Sequence, residues 1–444
     1  MYSVKPQALY VMDFALRDER NVARFERLAW AMGREPSSVP VIGKDDLPDV
    51  IRANEWVGEV RQGAYPFSRD PDVVFGAFEW VTPEERAAVV KSDLFQRCAE
   101  AHIRYGDCAQ NYYHSRILAM LGAAPFHHYE RRPAWDPKLV CWSLHDIHSG
   151  WGCFHRCAYC QRGSAYAIML NVEEFVEHVD GLLAENPWQE AIRYDVEQDV
   201  LAIEPEYGAC ELLVEDFARR DDRYLILFSK SANVDFVLPL DHRGHTIMLW
   251  TLTTRSVSRR IEPRTATMEQ RLEAARRCQE AGYTVRFKFK PIVPLKDWRE
   301  ETTEMLGALF QAVRPDNLSM EVVFFDSVAE MDSTVGLDNL DPQFVDAAWA
   351  AERAEGPWDQ AAHGPRPFTF EVKREIYEHF LAETRRLSPA TPLTLCAETQ
   401  RMWDALAEQL PGRPHNYVCN CGPHCTPGLR ELREVDGPDA DRVG

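Results

Sequence analysis

No stretch of this 444-residue chain is apolar for long enough to span a bilayer, because charges interrupt every hydrophobic run. The first residues, Met1 to Phe14, hold one cation, Lys5, and no sustained apolar run, so they do not read as a secretory signal. Internal repeats and low-complexity tracts are absent too. A soluble, cytoplasmic protein without a membrane partner is expected. Positive charge is scarce: 50 Lys and Arg face 70 Asp and Glu, a formal net charge of −20. Proteins that grip nucleic acid gain affinity by neutralising phosphates, and an acidic chain repels a polynucleotide at long range. A nucleic-acid partner is therefore disfavoured unless a local basic groove exists. Apolar residues are plentiful, at 45%, enough for one large core and a smaller companion.

Twelve cysteines are present, and without a secretory signal they do not suggest a disulfide framework. Six fall in two tight groups, Cys153/Cys157/Cys160 and Cys419/Cys421/Cys425. Cys98, Cys108, Cys141 and Cys278 lie in apolar patterns and read as buried fillers. The histidines His102, His127 and His128 read as surface or core residues. The first group has C-x3-C-x2-C spacing. Thiolates are soft ligands that suit iron–sulfur clusters or zinc. Three cysteines on so short a loop would leave one iron of a [4Fe–4S] cluster open. Structural zinc is the alternative, with His155 or His148 as fourth ligand.

The chain divides into an N-terminal α/β region (1–135), a central region (136–330) and a C-terminal extension (331–444). The first holds a strand over Ala8–Met12, a helix over Val22–Met32 and helical segments from Pro83, with Thr82 as N-cap, towards Leu121. In the second, apolar strands over Leu139–Leu144, Ile192–Tyr194, Tyr224–Phe228, Thr246–Thr251, Val285–Phe289 and Leu318–Phe325 alternate with helices. These helices are Val172–Leu183, capped by Asn171, then Met268–Ala281, ended by Gly282, and Thr302–Val313. That alternation predicts α/β architecture, a partial (β/α)6 barrel with ligands at the strands' carboxyl ends. The third region has helices over Phe370–Leu387 and Glu398–Leu410, with Leu393–Leu395 leading to Cys396, and a charged tail from Arg430.

C-x3-C-x2-C with an aromatic residue before the third cysteine resembles the signature of the radical S-adenosylmethionine (SAM) superfamily. The central region more narrowly resembles spore photoproduct lyase and its relatives. The similar stretches are Asp199–Glu204, Leu227–Ser231, Trp250–Thr253, Arg271–Ala275 through Tyr283, and Phe289–Val293, with a weaker echo at Ala8–Met12. The resemblance implies a [4Fe–4S] cluster on Cys153, Cys157 and Cys160, SAM bound to its open iron, and a 5′-deoxyadenosyl radical formed by one-electron cleavage. A reducing protein such as flavodoxin or ferredoxin is the implied electron donor. By position in the family pattern, Tyr159 would lie by the adenine, and Glu197, Lys230 and Thr251 would contact SAM.

The chain departs from the lyases in two places. They carry a cysteine just before the residue matching Asp199, where this chain has Val196 and Glu197, and a Tyr where it has Gln161. Arg286, Lys288 and Lys290 alternate with Phe287 and Phe289, so a strand puts the cations on one face. Facing the barrel interior, they would favour a small anionic substrate, such as a nucleotide-linked sugar. Pairing with carboxylates such as Glu321 or Glu262 is the other reading.

The second group, Cys419-Asn-Cys421-Gly-Pro-His-Cys425, with Cys396 as a candidate fourth ligand, suits a second (auxiliary) iron–sulfur cluster or zinc. If Cys396 does not coordinate, one iron is open and the cluster could surrender sulfide. Sulfur insertion or sulfur-for-oxygen exchange in antibiotic biosynthesis is then expected. The alternatives are radical epimerisation or rearrangement, lyase-type DNA repair, and a zinc-stabilised, non-catalytic binding protein.

Overall fold

The structure is a computed structural model that describes residues 3–65, 70–103, 111–131, 136–354, 356–414, 416–430 and 432. Cys108 and most of the tail after Arg430 lie outside these residues. In chain order the strands are β1 (Leu9–Met12), β2 (Val41–Ile42), β3 (Asp72–Gly76), β4 (His127–Glu130), β5 (Leu144–Ile147), β6 (Gly150–Trp151) and β7 (Ala165–Met169). They continue with β8 (Ala191–Tyr194), β9 (Tyr224–Ser229), β10 (Thr246–Thr251), β11 (Thr284–Ile292), β12 (Leu318–Val322) and β13 (Leu393–Leu395). A five-stranded sheet has the order β2-β1-β3-β7-β6 and an eight-stranded sheet the order β13-β12-β11-β10-β9-β8-β5-β4. The larger sheet is parallel from β5 to β13, and β4 joins its far edge antiparallel. This is the expected α/β partial barrel, extended at both edges.

Period-two packing sets the barrel strands. On β11, Val285, Phe287 and Phe289 are buried, and the Phe289 ring lies 5.2 Å from Phe380 of the helix Phe370–Leu387. Arg286, Lys288 and Lys290 take the alternate face, as the pattern requires. The helix Met268–Glu280 starts in a reciprocal capping box between Thr267 and Gln270 and stops before Gly282, whose φ of +95° suits a residue without Cβ. Thr82 and Glu85 form a second capping box.

Three local expectations change. The first barrel strand is Leu144–Ile147, not Leu139–Leu144, and Val140 makes only an isolated bridge to Glu398. Asp146 masks that strand as polar, although it is buried and bonded at 2.9 and 2.6 Å to Arg193 of β8. Asn171 does not cap its helix through its side chain; its Oδ1 accepts the Phe78 amide at 2.8 Å. Finally, β6 and β7 cross the boundary expected at residue 135 and pair within the N-terminal sheet. The chain therefore passes from the larger sheet at β5 to the smaller one at β6, and the loop carrying the first cysteines joins two neighbouring strands of that smaller sheet. Among the described residues, no helix is long and apolar enough to cross a membrane.

Candidate active site at the mouth of the barrel

The loop between β6 and β7 carries Cys153, Cys157 and Cys160. Neighbouring segments fix it through its backbone. Gln62 donates to the Cys160 carbonyl at 3.0 Å and Gly63 to Ala158 at 2.8 Å, while Ala158 donates to Ile261 at 2.8 Å. The Arg61 guanidinium donates to the Tyr159 carbonyl at 2.6 Å and pairs with Glu330 at 2.9 Å. Gly63 is required by contact: a Cβ there would lie 2.0 Å from the Thr334 carbonyl and 2.9 Å from Ala158.

The three cysteines line one cavity of about 150 Å³, together with His155, Tyr159, Arg162, Glu197, Gln198, Asp199, Phe228 and Lys230 among others. No fourth cysteine is among its lining residues. Burial pushes the Cys153 thiol up to about 12 and raises Cys157 and Cys160, so these sulfurs are protonated at neutral pH unless a cation displaces the protons. The two imidazoles that could complete a zinc site are committed elsewhere. His155 Nε2 lies 2.9 Å from Asp199 and its Nδ1 3.0 Å from the Arg264 carbonyl. His148 bonds Asp195 through Nδ1 and meets His128 at 2.5 Å through Nε2. A three-thiolate cluster with one open iron suits this donor set better than closed tetrahedral zinc.

Two carboxylates that the sequence reading did not single out as site residues organise the cavity. Asp199 accepts from Ser229 Oγ at 2.8 and 3.0 Å and from the Lys230 amide at 2.7 Å. Burial would raise its pKa, but His155 and these donors hold it below the usual range. Glu262 is fully buried and accepts from Lys230 Nζ at 2.8 Å, Thr253 Oγ1 at 3.0 Å, Arg271 at 2.6 Å and the Tyr159 hydroxyl. Burial opposes its charge, yet Lys230 and Arg271 keep its carboxyl well below the ordinary range. Asp199 was flagged in sequence only as part of a resembling stretch, and Glu262 only as a possible partner of the β11 cations, whereas it pairs with Lys230 and Arg271.

Tyr159, Glu197 and Lys230 line the cavity as expected, with Glu197 held by Arg162 at 2.7 Å. Thr251 does not line it: it is buried, its carbonyl accepts from Arg271 at 2.9 Å, and its Oγ1 has no partner.

The second cysteine group occupies the barrel's opposite end. Asn317 and Asn420 side chains tie residues 418–420 to β11 and β12, and the Pro423 carbonyl accepts from the amides of Glu190 and Ala191. Cys419 and Cys425 sulfurs lie 4.0 Å apart, and Gly422 is packed so tightly that a Cβ would sit 2.7 Å from Cys425 Sγ. Cys421 packs among Ile226, Ile247 and Leu249 of the interior. A hydrogen bond from Cys419, then the charges of Lys288 and Arg193, hold the Cys421 thiol well below its usual range despite burial. Cys396 follows β13 and lies within electrostatic reach of Cys421, Lys288 and Lys290. Cys141, expected to be a filler, is half-buried; burial first, and then Cys141 with Cys419, Cys425 and Cys396, push the Tyr417 phenol up.

The three cations of β11 are engaged with protein groups. Arg286 pairs with Asp316 at 2.8 Å and donates to the Thr426 carbonyl at 3.0 Å. Lys290 pairs with Glu321 at 2.6 Å, and Lys288 Nζ lies 3.1 Å from Cys421 Sγ. Arg286 is thus corrected from substrate anchor to a tether of the C-terminal loop, because full burial and three protein partners leave it no open face.

This parallel partial barrel, with three thiols in a cavity at its mouth, has the architecture of the radical SAM class. Residues 145–329 match the family model described as spore photoproduct lyase. The chain is 27% identical over 181 residues to spore photoproduct lyase of Bacillus subtilis (strain 168), aligning 39% of this chain with 52% of that protein. Against the Clostridium acetobutylicum lyase it is 23% identical over 184 residues, covering 39% and 53%. The match spans about half the length of these curated relatives. A solved structure of a spore photoproduct lyase point mutant superposes with a TM-score of 0.58 at 15% identity, covering 89% of this chain and 99% of that one. A double mutant with bound AdoMet and dinucleoside spore photoproduct gives 0.55 at 15%, covering 88% and 98%; at such identities the likeness is one of fold. Over its central part the chain is thus similar to the radical SAM spore photoproduct lyases, and its fold is similar to theirs.

Proposed function

We propose that this protein uses radical SAM chemistry on a small anionic metabolite held inside the barrel, drawing electrons from a flavodoxin- or ferredoxin-type donor. The cavity carries the proposal: three thiols converge there, no fourth cysteine lines it, and both nearby imidazoles are engaged. When bound, a cluster on Cys153, Cys157 and Cys160 supplies an open iron for SAM and the electron that releases the 5′-deoxyadenosyl radical. Tyr159, Glu197 and Lys230 are the SAM contacts in this reading. Thr251 would act from behind them, through the backbone that Arg271 holds.

Cys419, Cys421 and Cys425, with Cys396 or Cys141 beside them, hold a second iron–sulfur centre in this proposal. It faces the interior through Cys421 and would serve sulfur insertion or sulfur-for-oxygen exchange on a substrate such as a nucleotide-linked sugar. Anaerobic reconstitution tests the pair of centres: about eight irons with matching sulfide per chain are expected, and zinc alone would end the reading. With SAM and dithionite the protein should form 5′-deoxyadenosine, and Cys157→Ala should abolish it. Transfer of sulfide to the product separates sulfur insertion from epimerisation or rearrangement.

The likeness to 98–99% of the lyase chains favours a second reading, lyase-type repair. Turnover of dinucleoside spore photoproduct would establish it over the first.

A further inference from the structure

Period two places Arg286, Lys288 and Lys290 in a row on one face of β11, about 6.6 Å apart. The row runs along the C-terminal cysteine loop. Arg286 is spent on Asp316 and on carbonyls of residues 420 and 426. Lys290, at the other end, is spent on Glu321 and keeps a 39% exposed side chain. Lys288 lies between them, 2% exposed, and its Nζ is 3.1 Å from Cys421 Sγ.

A buried ammonium is costly unless an anionic or strongly accepting partner meets it. Arg286 and Lys290 meet carboxylates; Lys288 meets a sulfur. Phe228 stands between this pair and the first cavity. It lines that cavity, packs against the apolar cluster that contains Cys421, and has its ring centroid 5.5 Å from Lys288 Nζ. A substrate carboxylate or phosphate in that cavity would meet the Phe228 ring before Lys288.

We propose that Lys288 is a positioning residue for the second metal centre: its ammonium donates a hydrogen bond to the Cys421 ligand sulfur and thereby sets that centre's reduction potential. The inference rests on the reading of the second group as an iron–sulfur centre. Hydrogen bonds to ligand sulfurs stabilise the reduced, more negative state and raise the potential, and a charge-assisted donor acts more strongly than a neutral one. Lys288 therefore makes the buried centre easier to reduce without touching substrate.

The test is a redox titration of the anaerobically reconstituted full chain, followed by electron paramagnetic resonance, for wild type, Lys288→Met and Lys288→Arg. Iron and sulfide analysis of the wild type comes first: about four irons instead of eight would refute the second centre itself, and this inference with it. With both centres present, the second centre's potential should fall in Lys288→Met and return towards wild type in Lys288→Arg, while the first centre's stays fixed. An unchanged second potential in both variants would overturn the role of Lys288 and leave the second centre standing. If Lys288→Met fails to load, Lys288→Gln replaces it and should give a fall, because a neutral amide is the weaker donor; no fall would likewise overturn the role.

Discussion

Among single residues, Glu262 has the largest leverage on the cavity. One buried carboxylate fixes Lys230 and the Tyr159 hydroxyl, both at the cavity, and neutralises Arg271 behind them. Glu262→Gln keeps the shape and removes the charge. Losing charge-assisted bonds of about 1.5–3 kcal/mol each should weaken SAM binding about tenfold or more, while a loaded cluster keeps its spectrum. Equilibrium dialysis with SAM checks this, and unchanged binding would show that Lys230 needs no partner. The same group predicts an acid limit. Its folded pKa is depressed, so in acid the unfolded state binds more protons and stability rises with pH. The contribution is complete above the ordinary carboxylate range, near about pH 4.3, and is lost as pH falls below it. Denaturant midpoints of Glu262→Gln and wild type should therefore converge on acidification.

Segments that look unrelated in sequence meet at both cysteine loops. Gly63 touches both Ala158 and the Thr334 carbonyl, so Gly63→Ala should push residues 61–63 off the first loop. Overpacking of about 1–3 kcal/mol is expected, with fewer irons loaded and little change in far-ultraviolet circular dichroism. Arg286→Gln should loosen residues 420–426 at the other end, losing about four irons while 5′-deoxyadenosine production at the first site persists. Loss of both centres together would mean that the barrel, not the loop, depends on Arg286. These contacts explain what the sequence could show. The barrel strands from β8 to β12 and the cysteine spacings were legible because period-two apolar runs and ligand spacing are local signals. β13 was legible at Leu393–Leu395, whereas β7, wholly buried, carries little period of its own. Asp146 hid β5 because its partner, Arg193, lies on another strand. Cys141 read as a filler because its relation to Tyr417 exists only after folding.

At the scale of the whole molecule, fold and charge point to different partners. The lyase structures share the architecture over nearly their whole length, and one of them holds a dinucleoside photoproduct. This chain carries a net charge of −20, and the cations of β11 are turned inward onto Asp316, Cys421 and Glu321. A duplex gains affinity by releasing counterions to basic side chains, with a slope that reports how many phosphates are met. Cations already paired inside the barrel cannot contribute to that slope. At about 0.1 M salt, where screening acts over about 10 Å, duplex DNA should give no measurable anisotropy change with this protein. Photoproduct-containing DNA should also leave 5′-deoxyadenosine formation unstimulated, whereas a small phosphorylated substrate should raise it. A steep, salt-sensitive isotherm with duplex would instead reveal a basic groove on the folded surface, and would move the assignment towards DNA repair despite the overall charge.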